Sequence, residues 1–348
     1  MRPDPPGPGG AVVPVTVVRA DDAPGPTLVV RLDRLPAGAL ALAEELAQLR
    51  RALARTPYAG LNKIALYGSS ARPGVDLDHR FVQALPGGGF DFRAGCGHSL
   101  LACVVATARR GPVTVHAVTT GDTVLCEPEP DAGGPLGAEP EADDPHGTAP
   151  YSGAPLHGTA PYRGAPHARA SSRPRPVAYT LGFLTPPTAP GALPTGRPVD
   201  LLGGIPASLV RYGNPYVFVD TRHLGALSDD RLRDRLLLLR AEAARLLGHP
   251  PHSALPKIAA FTAGPDGRLS VRALTVGGWH PRLALTGAAA LAAAGALDGT
   301  VVPPVHGEVR TPGGPVTVST APDRVRVHHK RARVLERLDV PWRIHATA

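Results

Sequence analysis

The chain is poor in the residues that mark several protein classes. Its 348 residues include three cysteines, Cys96, Cys103 and Cys126. Three cannot build a disulfide framework, and no Cys-x-x-Cys pair offers a zinc site. Aromatic residues make up 4% of the chain, and none alternate with basic residues as in single-strand readers. The formal net charge is +8, yet the arginines are scattered, apart from Arg163, Arg169, Arg173 and Arg175 in a low-complexity stretch. A basic balance could mean nucleic acid or an anionic substrate, but that scatter favours the plain reading that the charge marks neither. No apolar run reaches membrane-spanning length; the longest, Leu283 to Leu297, is mostly alanine and too short. The opening MRPDPPGPGG lacks the apolar core of a secretory leader. The expectation is a cytoplasmic protein in a reducing setting, with no membrane partner.

What is present describes a globular enzyme-sized chain. Apolar residues make up 43%, and the length allows two domains, each with its own core. Val12 to Val18 and Thr27 to Leu32 read as strands. Leu35 to Ala54 carries leucines at helical spacing, at Leu40, Leu42, Leu46, Leu49 and Leu53. Lys63 to Tyr67 and the alternating Asp76 to Ala84 are strands, and Gly87-Gly88-Gly89 turns the chain. Cys96-Gly97-His98 leads into an apolar helix that ends before Gly111. Pro112 to Glu127 reads as two strands joined at Thr120-Gly121-Asp122. Residues 128–175 then break the pattern, with an eleven-residue repeat, HGTAPYSGAPL and HGTAPYRGAPH. Too few apolar side chains offset the ordering entropy there, so a disordered insertion is expected. The spacing of His146, His157 and His167 suits no compact metal site.

Order returns at Val177. Tyr179 to Leu184, Ala207 to Val210 and Tyr216 to Asp220 read as strands. Ser228-Asp229-Asp230 caps a helix that runs to Leu247 before Gly248. Lys257 to Phe261 and Leu269 to Val276 are strands, Thr286 to Leu297 is a second small-residue helix, and Val316 to Val318 and Val325 to His329 close the chain. A duplication shows in this order. Leu61-Asn62-Lys63-Ile64-Ala65-Leu66-Tyr67 parallels Leu255-Pro256-Lys257-Ile258-Ala259-Ala260-Phe261, and each is followed by a strand, a glycine turn and an apolar helix. A helix that is apolar nearly all round needs to be enclosed.

A set of fragments in fixed order resembles the PrpF-type 2-methylaconitate isomerase family, within the diaminopimelate-epimerase-like superfamily. They are Lys63-Ile64-Ala65 with Ser69 to Phe81, the Cys96-Gly97 helix start, Leu193-Pro194-Thr195-Gly196 with Asp200, and Gly213-Asn214-Pro215. Pro256-Lys257-Ile258-Ala259, His280, Thr286-Gly287-Ala288 and Gly299-Thr300-Val301-Val302 complete the set. The resemblance implies an α/β fold of two similar domains, residues 1–185 and 186–348, each a sheet wrapped around a central helix, with the active site between them. It also implies a cofactor-independent and metal-free isomerase or tautomerase that shifts a double bond in an unsaturated acid or carbonyl compound. A small-molecule substrate is the partner, and a homodimer is left open.

The same resemblance assigns proton transfer to Lys63 and Cys96. Around the substrate it sets Arg19, Gly97, His98, His280, Arg282, Thr286 and Gly287. Physical chemistry agrees with such roles: a helix N-terminus favours thiolate, and loss of hydration lowers a lysine pKa. Several family positions differ here. An Arg-Gly-Gly-Thr-Ser-Lys-Gly loop is replaced by Arg19-Ala20-Asp21-Asp22-Ala23-Pro24, and Asn-Cys-Gly-Asn reads Gly95-Cys96-Gly97-His98. Lys-Pro-His-Arg-Ala reads Gly278-Trp279-His280-Pro281-Arg282. These changes remove polar partners of a tricarboxylate, so the expected substrate is not 2-methylaconitate. Trp279 in place of a small residue suits a less polar ligand. Two further readings stand beside the isomerase: a cyclase or dehydratase acting on a larger biosynthetic intermediate, and a noncatalytic binding protein on the same fold.

Overall fold

The computed structural model describes residues 12–33, 35–85, 87–130, 176–250, 253–275 and 278–342. The repeated stretch that the sequence marks as an insertion, with its three histidines, falls outside the described residues beyond residue 130. In chain order the first elements are β1 (Val12–Ala20), β2 (Thr27–Arg31), α1 (Ala39–Leu53), β3 (Lys63–Ser69), β4 (Leu77–Ala84), β5 (Phe90–Asp91), α2 (Gly97–Ala106), β6 (Val113–Ala117), β7 (Thr123–Pro128) and β8 (Ala178–Phe183). There follow β9 (Asp200–Leu202), β10 (Ile205–Tyr212), β11 (Asn214–Asp220), α3 (Asp229–Leu246), β12 (Lys257–Ala263), β13 (Leu269–Thr275), β14 (Gly278–Trp279), α4 (Leu285–Gly295), β15 (Gly307–Val309), β16 (Val316–Ala321) and β17 (Arg324–Pro341).

The fold is α/β with mixed sheets. The first sheet runs β1-β2-β3-β4-β6-β7-β8-β17 and closes on itself where β17 pairs with β1, giving a barrel-like form. β16 and β15 extend it from β17, and the second sheet runs β14-β13-β12-β11-β10-β9. One order of elements occurs twice. β2 lies parallel to β3 across α1, and β11 lies parallel to β12 across α3; each second strand then pairs antiparallel with the next. Lys63 and Lys257 are the first residues of the two corresponding strands.

Helix periodicity explains which helices lie outside. Leu42, Leu46, Leu49 and Leu53 of α1 fall on one face and pack on Val13, Val15, Val17, Leu28 and Ile64. Strand alternation sends Val18 and Ala20 to the opposite side, into the cluster around α2. Leu236, Leu239 and Ala243 of α3 cover Leu209, Val217, Val219 and Ile258 in the same way. The other two helices are buried on every side. All of α2 except Val105 is buried, and so is α4 from Leu285 to Ala294. Six of those ten α4 residues are alanine, which keeps the helix thin enough to be enclosed. α2 contacts β1, β2, β3, β4, β6 and β17, whereas α4 contacts β10, β11, β16 and β17.

The element boundaries differ modestly from the sequence reading. α1 begins at Ala39 rather than Leu35, α2 ends at Ala106 and α4 at Gly295. The largest difference is β17, an 18-residue strand where only Val325 to His329 read as one. Its register shifts near His329, which adopts φ 59°, and again opposite Val17/Val18. Through these bulges one strand pairs with β16, β8 and β1. Among the described residues, no helix is long and apolar enough to cross a membrane.

Candidate active site

The first turns of the two enclosed helices face each other. Cys96 is the extended residue before α2, at φ −144° and ψ 107°, and Ala284 holds the same place before α4. Neither residue's side chain caps its helix, and neither first turn contains an acid. Two sets of backbone N–H groups, with the positive ends of both dipoles, are thus left toward the space between them. The approach is close: a Cβ at Gly97 would lie 2.6 Å from Leu285 Cδ2 and 3.0 Å from Leu285 Cβ.

Asn214 fixes the peptide that leads into Cys96. Its Oδ1 accepts from the Gly95 N–H at 2.7 Å, and its Nδ2 donates to the Gly95 carbonyl at 2.9 Å. Nδ2 also reaches Thr286 Oγ1 at 3.4 Å, so one amide at the start of β11 touches both helix starts. Tyr216, two residues on along the same face, bonds to Thr286; burial pushes its hydroxyl pKa well up and keeps it a proton donor. A Cβ on Gly287 would lie 2.7 Å from the Tyr216 hydroxyl.

Between these elements lies a cavity of about 70 Å3, lined among others by Lys63, Cys96, Gly97, His98, Asn214, Tyr216, Lys257, His280 and Thr286. Ala254, Lys257 and Thr275 also line a wider groove of about 490 Å3. Burial weakens proton binding at both lysines. Burial lowers the Lys63 pKa, helped by the charge of Arg19, and Cys96 opposes the shift. Burial lowers Lys257 further, to about 8, against the same Cys96 influence. Among the described residues neither amine makes an ion pair or hydrogen bond.

The two histidines are held neutral. Burial, then the charges of Lys63 and Lys330, keeps His98 well below its ordinary range. Burial brings His280 to about 4. His280 Nδ1 accepts the Arg282 N–H at 3.1 Å, which assigns the ring proton to Nε2. The rings lie within 13° of parallel with centroids 6.3 Å apart. His98 Nε2 is buried and has no hydrogen-bond partner among the described residues.

Of the residues singled out from sequence, Lys63, Cys96, Gly97, His98, His280 and Thr286 come together at this cavity. Arg19 stands on β1 opposite Arg333 and does not line it, although its charge acts on Lys63 and His98. Arg282 is drawn into an ion pair with Asp22, Nη1 to Oδ1 at 2.9 Å. Gly287 packs under Tyr216 behind the cavity wall. Trp279 also differs from its expected role: it joins the cluster beneath α3 and lies under the Arg272 guanidinium, 4.0 Å from its ring centre.

Sequence reasoning missed Lys257, Asn214, Tyr216, Asp22 and Lys330. For Lys257 a signal existed, because the duplication aligns it with Lys63. Cys103 and Cys126 are fully buried, with thiol pKa values pushed up by burial. Among the described residues no group of three or more His, Cys, Asp or Glu is placed to hold a metal ion.

This α/β architecture is shared with solved structures of isomerases and epimerases. The structure of methylitaconate-delta-isomerase superimposes over 95% of each chain with a TM-score of 0.61 at 21% identity. A hydroxyproline epimerase from Agrobacterium vitis, solved with trans-4-hydroxy-L-proline, superimposes over 94% of this chain and 92% of its own, with a TM-score of 0.55 at 15% identity. In sequence, the chain is 25% identical over 265 residues to the protein named "Putative isomerase YbhH" of Escherichia coli K12. That match spans 69% of this chain and 68% of the relative, and the same protein of Shigella flexneri matches equally. No protein-family model matches the chain.

Proposed function

We propose that the chain is a cofactor-independent isomerase or tautomerase that moves a proton in a small unsaturated acid or carbonyl compound. The reading takes the two enclosed helices as the centres of two like domains, meeting near residue 185, with the cavity between them as the active site. One observation carries it: two lysines with no ion pair or hydrogen bond among the described residues and one partly exposed thiol line a single small cavity at two convergent helix starts. The YbhH relative named as an isomerase and the shared fold of methylitaconate-delta-isomerase support the same class.

The chemistry follows from these groups. A substrate carboxylate binds at the helix starts, where N–H groups point into the cavity. Lys63, its pKa lowered by burial, removes a weakly acidic C–H proton in its neutral form. Charge that develops on the delocalised carbanion is met by the helix starts, by the new Lys63 ammonium and by Lys257. Cys96 gives its thiol proton to the second carbon, so the double bond has moved with no net change in the substrate's atoms; the Cys96 thiolate then takes up a proton and the Lys63 ammonium gives one up through solvent, which restores both groups. Neutral His98 and His280 orient the substrate without adding charge.

Solvent deuterium exchange tests this. The enzyme in D2O should place deuterium at the allylic C–H of an unsaturated acid that it accepts. Lys63→Ala should abolish exchange without unfolding the protein, and Cys96→Ser should slow it sharply, since a serine hydroxyl is far less acidic than a thiol. Full exchange in both variants would remove the scheme.

A further inference from the structure

The cavity at the helix starts adjoins a much larger groove, about 490 Å3 against about 70 Å3. Ala254, Lys257 and Thr275 line both, so Lys257 stands where the two spaces meet. On one side the groove is bounded by Leu85, which follows β4, and by β5 of the first sheet. On the other it is bounded by α3 and by β12 and β13 of the second sheet. Sites for small molecules occupy roughly 300–1,000 Å3, a range that the groove meets and the cavity alone does not.

The groove has apolar walls and one unanswered cation. Leu85, Phe90, Leu237 and Leu274 supply the apolar surface. Arg93 is answered, because its backbone N–H and its Nε donate to Asp91 Oδ1 at 2.9 Å and 3.3 Å. Arg240 is not. Its Nη1 donates to the Ser253 carbonyl at 2.7 Å, and it pairs with no carboxylate among the described residues. Burial lowers its pKa, as expected for a cation without a counter-charge. The Arg240 charge also acts on Lys257, so the groove and the cavity are within electrostatic reach of each other. A guanidinium presents several N–H groups in a planar fork that suits a carboxylate, and the Ser253 carbonyl takes only one of them.

We propose that this groove is a subsite for the far end of the substrate, and that Arg240 is a specificity-determining residue that takes a second carboxylate there. The substrate is then an acid charged at both ends. One carboxylate sits at the helix starts beside Lys63 and Lys257, an apolar stretch runs along Leu237 and Leu274, and the other carboxylate meets Arg240. This rests on the cavity being the substrate site, as proposed above, but not on the proton-transfer scheme.

The test uses unreactive saturated acids. The dicarboxylates succinate, glutarate, adipate and pimelate are each compared with the monoacid of the same chain length: butyrate, pentanoate, hexanoate and heptanoate. Binding to the full chain is measured by calorimetry at fixed ionic strength. Protection from iodoacetamide of Cys96, the cysteine that is not fully buried, reports whether the acid enters the cavity. At one length or more the dicarboxylate should bind about tenfold or more tightly than its monoacid, and it should slow Cys96 alkylation. Arg240→Gln keeps a donor for the Ser253 carbonyl without the charge. It should remove that gain while butyrate stays within about twofold. Leu237 is 43% exposed and lies one helical turn before Arg240 on α3, so Leu237→Glu sets a carboxylate beside the guanidinium without disturbing the core. It should remove the gain as well, which keeps the test decisive if Arg240→Gln does not fold. A dicarboxylate no tighter than its monoacid at every length overturns the proposal, and so does a gain that survives either variant. An Arg240-dependent gain with Cys96 alkylated at its free rate also overturns it, because the acid would then lie outside the cavity. Persistence of deuterium exchange in Lys63→Ala bears only on the proton-transfer scheme, because none of these acids reacts.

Discussion

Asn214→Ala removes the clamp on the peptide that presents Cys96. The Gly95 N–H loses its acceptor at 2.7 Å and the Gly95 carbonyl loses its donor at 2.9 Å. A donor or acceptor left without a partner costs about 1–3 kcal/mol when buried. Both groups are only part-buried and adjoin a cavity of about 70 Å3 that water can enter, so the lower end of that range applies to each. The two together amount to about 2–3 kcal/mol, which for a chain of this size lowers the melting temperature by roughly 3–4 °C. The functional effect is separable. Cys103 and Cys126 are fully buried, so alkylation of the folded protein by iodoacetamide reports on Cys96 alone. Freed from the clamp, the residue should alkylate faster, and peptide mass spectrometry should place the adduct on Cys96. A melting temperature within about 1 °C of wild type, together with an unchanged alkylation rate, would show that the clamp holds nothing.

Two further outcomes follow from the same cavity. Gly97→Ala should destabilise by about 1–3 kcal/mol in urea unfolding despite the better helix propensity of alanine, because the new methyl meets Leu285. Adding Leu285→Ala should relieve part of that strain; a stabilised single variant would contradict the close approach of the two helix starts. Lys257 binds its proton more weakly when folded than its ordinary value of 10.5, at about 8. The unfolded chain therefore holds more protons between these two values, so stability should rise as pH increases through that window, by about 2–3 kcal/mol. Lys257→Met should show a smaller rise than wild type in urea denaturation series from about pH 7.5 to 10.5, keeping only what Lys63 contributes, and a variant with the wild-type slope would show that Lys257 is not desolvated.

The parts of the fold legible in the sequence are those where a period meets a buried face. The leucines of α1 announce one covered stripe, and the nearly unbroken apolar runs of α2 and α4 announce enclosure. Only the first part of β17 reads as a strand, because its second half, KRARVLERLDVP, combines a buried Lys330 with mostly exposed charged side chains and its two bulges break the alternation. The short strands β5, β9, β14 and β15 exist through their pairing partners and have too few residues to show a period. In the site, Lys257 was legible through duplication. Asn214 was not, because its two bonds reach a peptide 119 positions away. The loop around Asp22 showed its gain of acid in the sequence, yet the destination of that charge depends on Lys330, 308 positions along.

Three buried or nearly buried lysines therefore play unequal parts, and the inequality is physical. A lysine without a counter-charge in a desolvated place weakens the fold unless it loses its proton, whereas one paired with a dry carboxylate does not face the same penalty. Lys330 has Asp22 and shows what this chain does when a buried ammonium serves the structure. Lys63 and Lys257 have no such partner among the described residues, and their pKa values fall instead. Packing gives no reason to keep two such groups: each begins a core strand where a neutral residue would pair as well. Their presence at equivalent positions of a repeated β-α-β order, facing one thiol, is a local inconsistency that stability does not explain and that the proposed proton transfer would use.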